Sequence, residues 1–159
     1  MADALSGGTL NMQTLVTRED GLSSASALVA LIRETFADAD ADDVSYFYIS
    51  THGLWNTAVN GLMTLLLSDG ESEEGITVYE LRRVFDTIPG KKVLLLDACH
   101  SGAMIGKGVE KSFENLFAGD NYYVVCSSGG EEESWYWSGE VGGERLAGCL
   151  LYTSPSPRD

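Results

Sequence analysis

The sequence predicts an α/β domain: a three-layer α/β/α sandwich around a mostly parallel sheet. Three observations carry that prediction. Apolar runs rich in β-branched and aromatic residues alternate with amphipathic helical stretches. Those runs are apolar on both faces, as in sheets covered on two sides. Two of them stop on chemistry-bearing residues instead of plain turns, "ISTHG" at 49–53 and "LDACHSG" at 96–102.

The elements follow in order. The first twenty residues, "MADALSGGTLNMQTLVTRED", offer one strand pattern, "LNMQTLV". They lack a basic flank before an apolar stretch, so they do not read as a secretory signal. From Leu22, residues Leu28, Leu31, Ile32 and Thr35 or Phe36 recur at three- and four-residue spacing. That is a helix, with Ser23, Ser24 or Ser26 as its N-cap. The acids of "DADADD" (38–43) would oppose the macrodipole at a helix C-terminus and read as a loop. "VSYFYIS" (44–50) is a buried strand, and "LMTLLLSDGESEEG" (62–75) gives one or two short strands and an acidic loop.

Thr77 with Glu80 forms a capping box. The helix it starts shows Val78, Leu81, Val84, Phe85 and Ile88 on its apolar face and ends at Pro89-Gly90. "KKVLLLD" (91–97) is the next strand. A connector over 102–119 leads to the strand "NYYVVCSS" (121–128) and then to "GGEEESWYW" (129–137).

Charge and composition exclude several partners. Ten Lys plus Arg stand against 24 Asp plus Glu, a net charge of −14. Such a chain is repelled by phosphate backbones and anionic lipid, which excludes nucleic acid and membranes as partners. No run of about 18 apolar residues is present to span a bilayer. The three cysteines, Cys99, Cys126 and Cys149, have no metal-ligand spacing and an odd count, and read as reduced. The compartment stays unassigned.

Parallel sheets gather functional groups at the carboxyl ends of adjacent strands. His52 and Cys99 each fall just past a strand end, so parallel neighbouring strands would set them on one edge. An imidazole beside a thiol makes a nucleophile. Gly53 and Gly102, beside them, leave room for backbone N–H groups directed at an oxyanion. Each residue also has an ordinary reading: Cys99 an inert core thiol, His52 a satisfied strand-end histidine, Asp97 a loop cap. Cys126 reads as core. Ser127 and Ser128 border either a substrate groove or a plain turn, and Trp135, Tyr136 and Trp137 wall a subsite or cover the sheet. A zinc site of His52, Cys99 and His100 is set aside because adjacent Cys-His residues rarely aim at one ion. "DGESEE" (69–74) has no calcium-loop register.

"YFYISTHG" and "VLLLDACHSG", with His52 and Cys99 47 positions apart, resemble the His and Cys motifs of caspase-fold cysteine peptidases. In caspases the His lies about 50 residues before the Cys. The D-A-C-H-S-G box is nearer to metacaspases and clostripain-like members, and the resemblance runs from about Leu22 to Trp137. It implies a cysteine endopeptidase with Cys99 as nucleophile and His52 as general acid/base. Gly53 and Cys99 would supply the oxyanion amides. It places Asp97 in the pocket for the residue before the cut (P1), where an acid favours Arg or Lys. Ser127 and Ser128 would flank the groove, and His100 receives no proton-transfer role. The partner is then a peptide or protein. No cofactor or metal is required, calcium is allowed as an activator, and Lys107 and Lys111 are candidate self-cleavage points.

Two departures from the family accompany this. The family's extra central strand before the first helix is not matched, so the domain is expected to be incomplete at both ends. Residues 1–148 form the partial peptidase domain. Residues 149–159, "CLLYTSPSPRD", resemble the translation of a sequencing adapter, in which TGT CTC TTA TAC ACA TCT encodes the CLLYTS of 149–154, and are expected to be a non-native tail; a genuine Pro-Ser tail is the alternative. A non-catalytic interaction module of the same fold, or an inactive fragment, is the alternative from another class. An esterase or acyl transferase using the same pair is a third.

Overall fold

The computed structural model describes residues 12, 14–17, 21–55, 63–107, 115–134, 137–141 and 144–148. The elements are helix α1 (Ala25–Thr35), strands β1 (Val44–Ser50), β2 (Gly53–Trp55), β3 (Met63–Ser68) and β4 (Glu73–Thr77), and helix α2 (Val78–Phe85). They continue with β5 (Lys91–Asp97), a 3₁₀ turn (Ser101–Ile105), and strands β6 (Tyr122–Cys126), β7 (Trp137–Val141) and β8 (Glu144–Gly148). Residues 14–17 carry no strand. The tail from Cys149, Lys111, Trp135 and Tyr136 lie outside the described residues.

The sheet at the centre is parallel with β5 in the middle, in the order β1-β5-β6. The two strands read as VSYFYIS and KKVLLLD keep their expected bounds, because both are short apolar runs with nothing helical in their spacing. Alternation along the strands divides the side chains. Leu94 and Leu96 are fully buried, and Phe47, Ile49, Val124 and Cys126 pack against the core that they share with Leu28, Ile32, Leu81 and Phe85. The Phe47 and Phe85 rings meet edge-on at 5.1 Å. On the opposite face Val44, Tyr123 and Val125 are exposed.

Both helices of the described residues therefore cover one face. The predicted α/β class and mostly parallel sheet stand. Among the described residues the layers number two, where three were expected. The connector after β5 contributes only the 3₁₀ turn, and its residues 108–114 lie outside the described set.

The sequence reading also missed a second sheet. Strands β2, β3 and β4 pair antiparallel in that order. Glu73 and Glu74, taken as loop, lie at the exposed start of β4, an edge strand where acids are tolerated. The Glu74 carboxylate accepts the Ala25 N–H at 3.0 Å, placing an anion at the start of α1. Ser24 caps the same helix through the Ala27 N–H. At the tip of the hairpin Asp69 accepts the Ser72 and Glu71 amides, which hold its pKa down to about 2.

Helix α2 carries the capping box that the sequence predicts. The Thr77 hydroxyl accepts the Glu80 N–H and the Glu80 carboxylate accepts the Thr77 N–H. Its face is buried at Val78, Leu81, Val84 and Phe85. Thr77→Ala is expected to cost about 1 kcal/mol of unfolding free energy, read as a lower urea midpoint with an unchanged slope. At the other end Tyr122 donates to Asp86 at 2.8 Å and Arg82 pairs with Asp86 at 2.7 Å. The buried Lys92 ammonium lies 4.9 Å over the Tyr122 ring and donates to the Ile88 carbonyl. Burial lowers the Lys92 pKa. These contacts tie α2 to β5 and β6 at the edge of the sheet away from Cys99.

Candidate active site

Strands β1 and β5 end level. Ser50 is paired with Asp97, and the Thr51 N–H continues the ladder to the Asp97 carbonyl at 3.1 Å. His52 and Cys99 stand two residues past those ends, equal offsets on neighbouring strands, so the topology delivers both to one edge. The approach is close: a Cβ built on Gly53 would lie 1.9 Å from the Cys99 carbonyl oxygen. Glycine there is a packing requirement as well as an opening for a ligand.

The turn carrying Cys99 is stitched to the end of β6. The Ser127 hydroxyl accepts the Ala98 N–H at 3.1 Å, and Ser127 and Ser128 both donate to the Ala98 carbonyl. Ser128 also accepts the Ser101 N–H, and its carbonyl accepts the Gly102 N–H at 2.9 Å. The two serines thus hold the Cys99 turn in place. Gly102 is packed like Gly53, with the Ser128 carbonyl 2.7 Å from where its Cβ would be. Cys126 is half-buried and bonded to the Ser101 carbonyl; burial pushes its thiol up to about 11.

Cys99 is half-buried, and its sulfur is engaged by Ser134. The Ser134 N–H points at Sγ from 3.3 Å and the hydroxyl from 3.7 Å, while the thiol lies 3.4 Å from the Ser134 carbonyl. The His52 side chain is exposed and makes no hydrogen bond among the described residues; its carbonyl accepts the Leu66 N–H at 2.9 Å. That bond makes Gly53–Leu65 a non-hydrogen-bonded pair of the β2–β3 ladder, so β3 does not use the Gly53 amide. The Cys99 amide likewise donates to no described residue. Among the described residues neither expected oxyanion amide has a hydrogen-bond acceptor.

Asp97, two residues before Cys99, is 2% exposed, with Oδ2 accepting the Tyr48 hydroxyl at 3.2 Å. Tyr48 and Asp97 share a sheet face because Tyr48 sits opposite Leu95 and Ser50 opposite Asp97. His100 adopts a left-handed backbone, φ 59°. Its N–H donates to the Glu132 carbonyl, and Nδ1 lies 2.9 Å from the Gly130 carbonyl. A carbonyl only accepts, so Nδ1 carries the proton and cannot serve as a base there. Lys107 is exposed, but its N–H and carbonyl are both bonded, to Gly102 and Gly130.

The structure brings the predicted His52, Gly53, Cys99 and Asp97 to one edge of the sheet, and sets beside them Ser134 and Tyr48, which the sequence did not single out. Ser134 was hidden between an acidic run and an aromatic cluster. Tyr48 could have been found by strand parity, since it shares a face with Ser50, whose partner is Asp97. Among the described residues no three His, Cys, Asp or Glu side chains converge as a metal-ligand set, and no helix is long and apolar enough to cross a membrane. No family model matches the sequence, and no curated protein matches it.

Proposed function

We propose that this chain is a caspase-like cysteine endopeptidase domain that cuts peptides after Arg or Lys. The observation that carries the reading is the level ending of parallel β1 and β5, which sets the His52-Gly53 segment against Cys99 with Asp97 behind. Cys99 Sγ attacks the peptide carbonyl and its proton passes to His52. The Gly53 and Cys99 amides receive the oxyanion, and His52 then protonates the leaving amine. Water, deprotonated by His52, resolves the thioester. Asp97 pairs with the P1 cation, and the exposed Glu131, Glu132 and Glu133 add negative potential beside the site.

The test is a panel of peptidyl electrophiles with P1 Arg, Leu or Asp, the labelled residue mapped by mass spectrometry. Labelling of Cys99 by the Arg probe ahead of the other two supports the reading; no preference, or labelling elsewhere, overturns it. In the same panel Asp97→Asn is expected to slow the Arg probe about tenfold to a hundredfold, the worth of one charge-assisted bond. Asn at 97 keeps an acceptor for Tyr48, and the Leu probe should react as before.

A second reading has its own observation. The Cys99 thiol is held by Ser134, and the His52 imidazole makes no bond to it. That arrangement favours a non-catalytic interaction module of the same fold. It predicts no probe labelling from any member of the panel.

A further inference from the structure

Segment 129–134 passes over the nucleophile and is fastened to it at several points. The His100 N–H bonds the Glu132 carbonyl at 2.9 Å, His100 Nδ1 bonds the Gly130 carbonyl at 2.9 Å, and the Ser134 N–H bonds Cys99 Sγ at 3.3 Å. Within the segment the Gly129 N–H bonds the Glu132 carboxylate at 2.8 Å, and the Gly130 N–H ties it to the Lys107 carbonyl at 2.8 Å. His100 makes its two bonds from a left-handed backbone, a conformation disfavoured for a residue with a Cβ. The cost is offset only if that geometry is used, and here it presents the amide and the ring to the same strap.

We propose that His100 is a positioning residue that pins segment 129–134 as a strap across Cys99, with Ser134 occupying the sulfur until the strap lifts. A substrate carbonyl must reach the sulfur that Ser134 now touches, so lifting precedes attack. The ring keeps its proton on Nδ1 whether the imidazole is neutral or charged, so the pin holds in both states. The inference deepens the peptidase reading, since it supplies that site's closed state. The strap itself rests on contacts that exist whatever the site does.

The test uses iodoacetamide, which needs no peptide recognition, on the full chain at pH 8, with alkylation of the Cys99 peptide followed over time. His100→Gly removes the ring bond and relaxes the left-handed backbone. It should raise the Cys99 rate about fivefold, the population shift expected from one lost hydrogen bond. His100→Asn tolerates the same backbone and keeps a donor, and should stay within about twofold of wild type. A wild-type rate in a folded His100→Gly, or equal acceleration in both variants, overturns the proposal. A second measurement needs no variant. Once Cys99 is carboxamidomethylated Ser134 can no longer seat on the sulfur, so deuterium exchange at the Ser134 and His100 amides should rise. Unchanged exchange overturns it. A strap effect with no P1 preference in the peptidyl panel removes the peptidase reading alone; a P1-Arg preference with no strap effect removes this inference alone.

Discussion

Cys99→Ala is expected to abolish both P1-Arg probe labelling and any peptide hydrolysis, because no other thiol among the described residues can take its place. Cys126, the nearest in role, is held as a thiol by burial, with a pKa of about 11 and a bond to the Ser101 carbonyl. At pH 8 it should stay unlabelled. Its strand also directs it into the core, in register with Leu96. The loss should come with little change in fold. Cys99 is half-buried, and its sulfur bonds only Ser134 among the described residues, so the stability cost should be about 1 kcal/mol. Circular dichroism and a urea midpoint close to wild type, beside a silent probe, would assign the chemistry to this sulfur. Probe labelling that persists in Cys99→Ala and maps to another residue would end the dyad assignment.

The placement of His52 and Cys99 on one edge was legible because both follow strand ends, and strand ends are what an apolar run shows most plainly. β1 and β5 end at Ser50 and Asp97, where the apolar runs end, and the parallel pairing does the rest. The capping box of α2 was legible for a related reason: Thr77 and Glu80 act within one turn. What was not legible depends on residues distant in sequence. Whether Ser134 touches Cys99 depends on how segment 129–134 returns over the 98–102 turn, and no local pattern states that. The pairing of β2 with β3 was missed because Gly53, Leu54 and Trp55 are too few to show an alternation. Ser127 and Ser128 were read as groove or turn residues, since neither reading could foresee hydroxyls facing the Ala98 amide and carbonyl. The two motif glycines were read for their openness to a ligand. The structure adds that carbonyl oxygens already fill the space beside them.

That packing sets the second large effect. Gly53→Ala is expected to cut reaction with the P1-Arg probe a hundredfold or more while leaving the chain folded. The new Cβ would lie 1.9 Å from the Cys99 carbonyl oxygen and 2.6 Å from the Met63 methyl group. Met63 can turn its side chain aside, but the carbonyl belongs to the backbone of the Cys99 turn. That turn is held on its far side by Ser127 and Ser128, so the His52-Gly53 segment is the part that moves. A displacement of about 1 Å at a reacting group costs on the order of a hundredfold in rate, and the Gly53 amide moves with it. Overpacking costs about 1–3 kcal/mol of stability. Three readings separate a displaced dyad from a collapsed domain. Near-native circular dichroism and unchanged deuterium exchange at the Ser134 and His100 amides should accompany the lost peptidyl reaction, because the sulfur and its strap lie on the fixed side. Leu54→Ala, one residue on and half exposed, should leave all three unchanged. If Gly53→Ala reacts with the P1-Arg probe like wild type, the two strand ends do not work as a pair, and the interaction-module reading gains what the dyad loses.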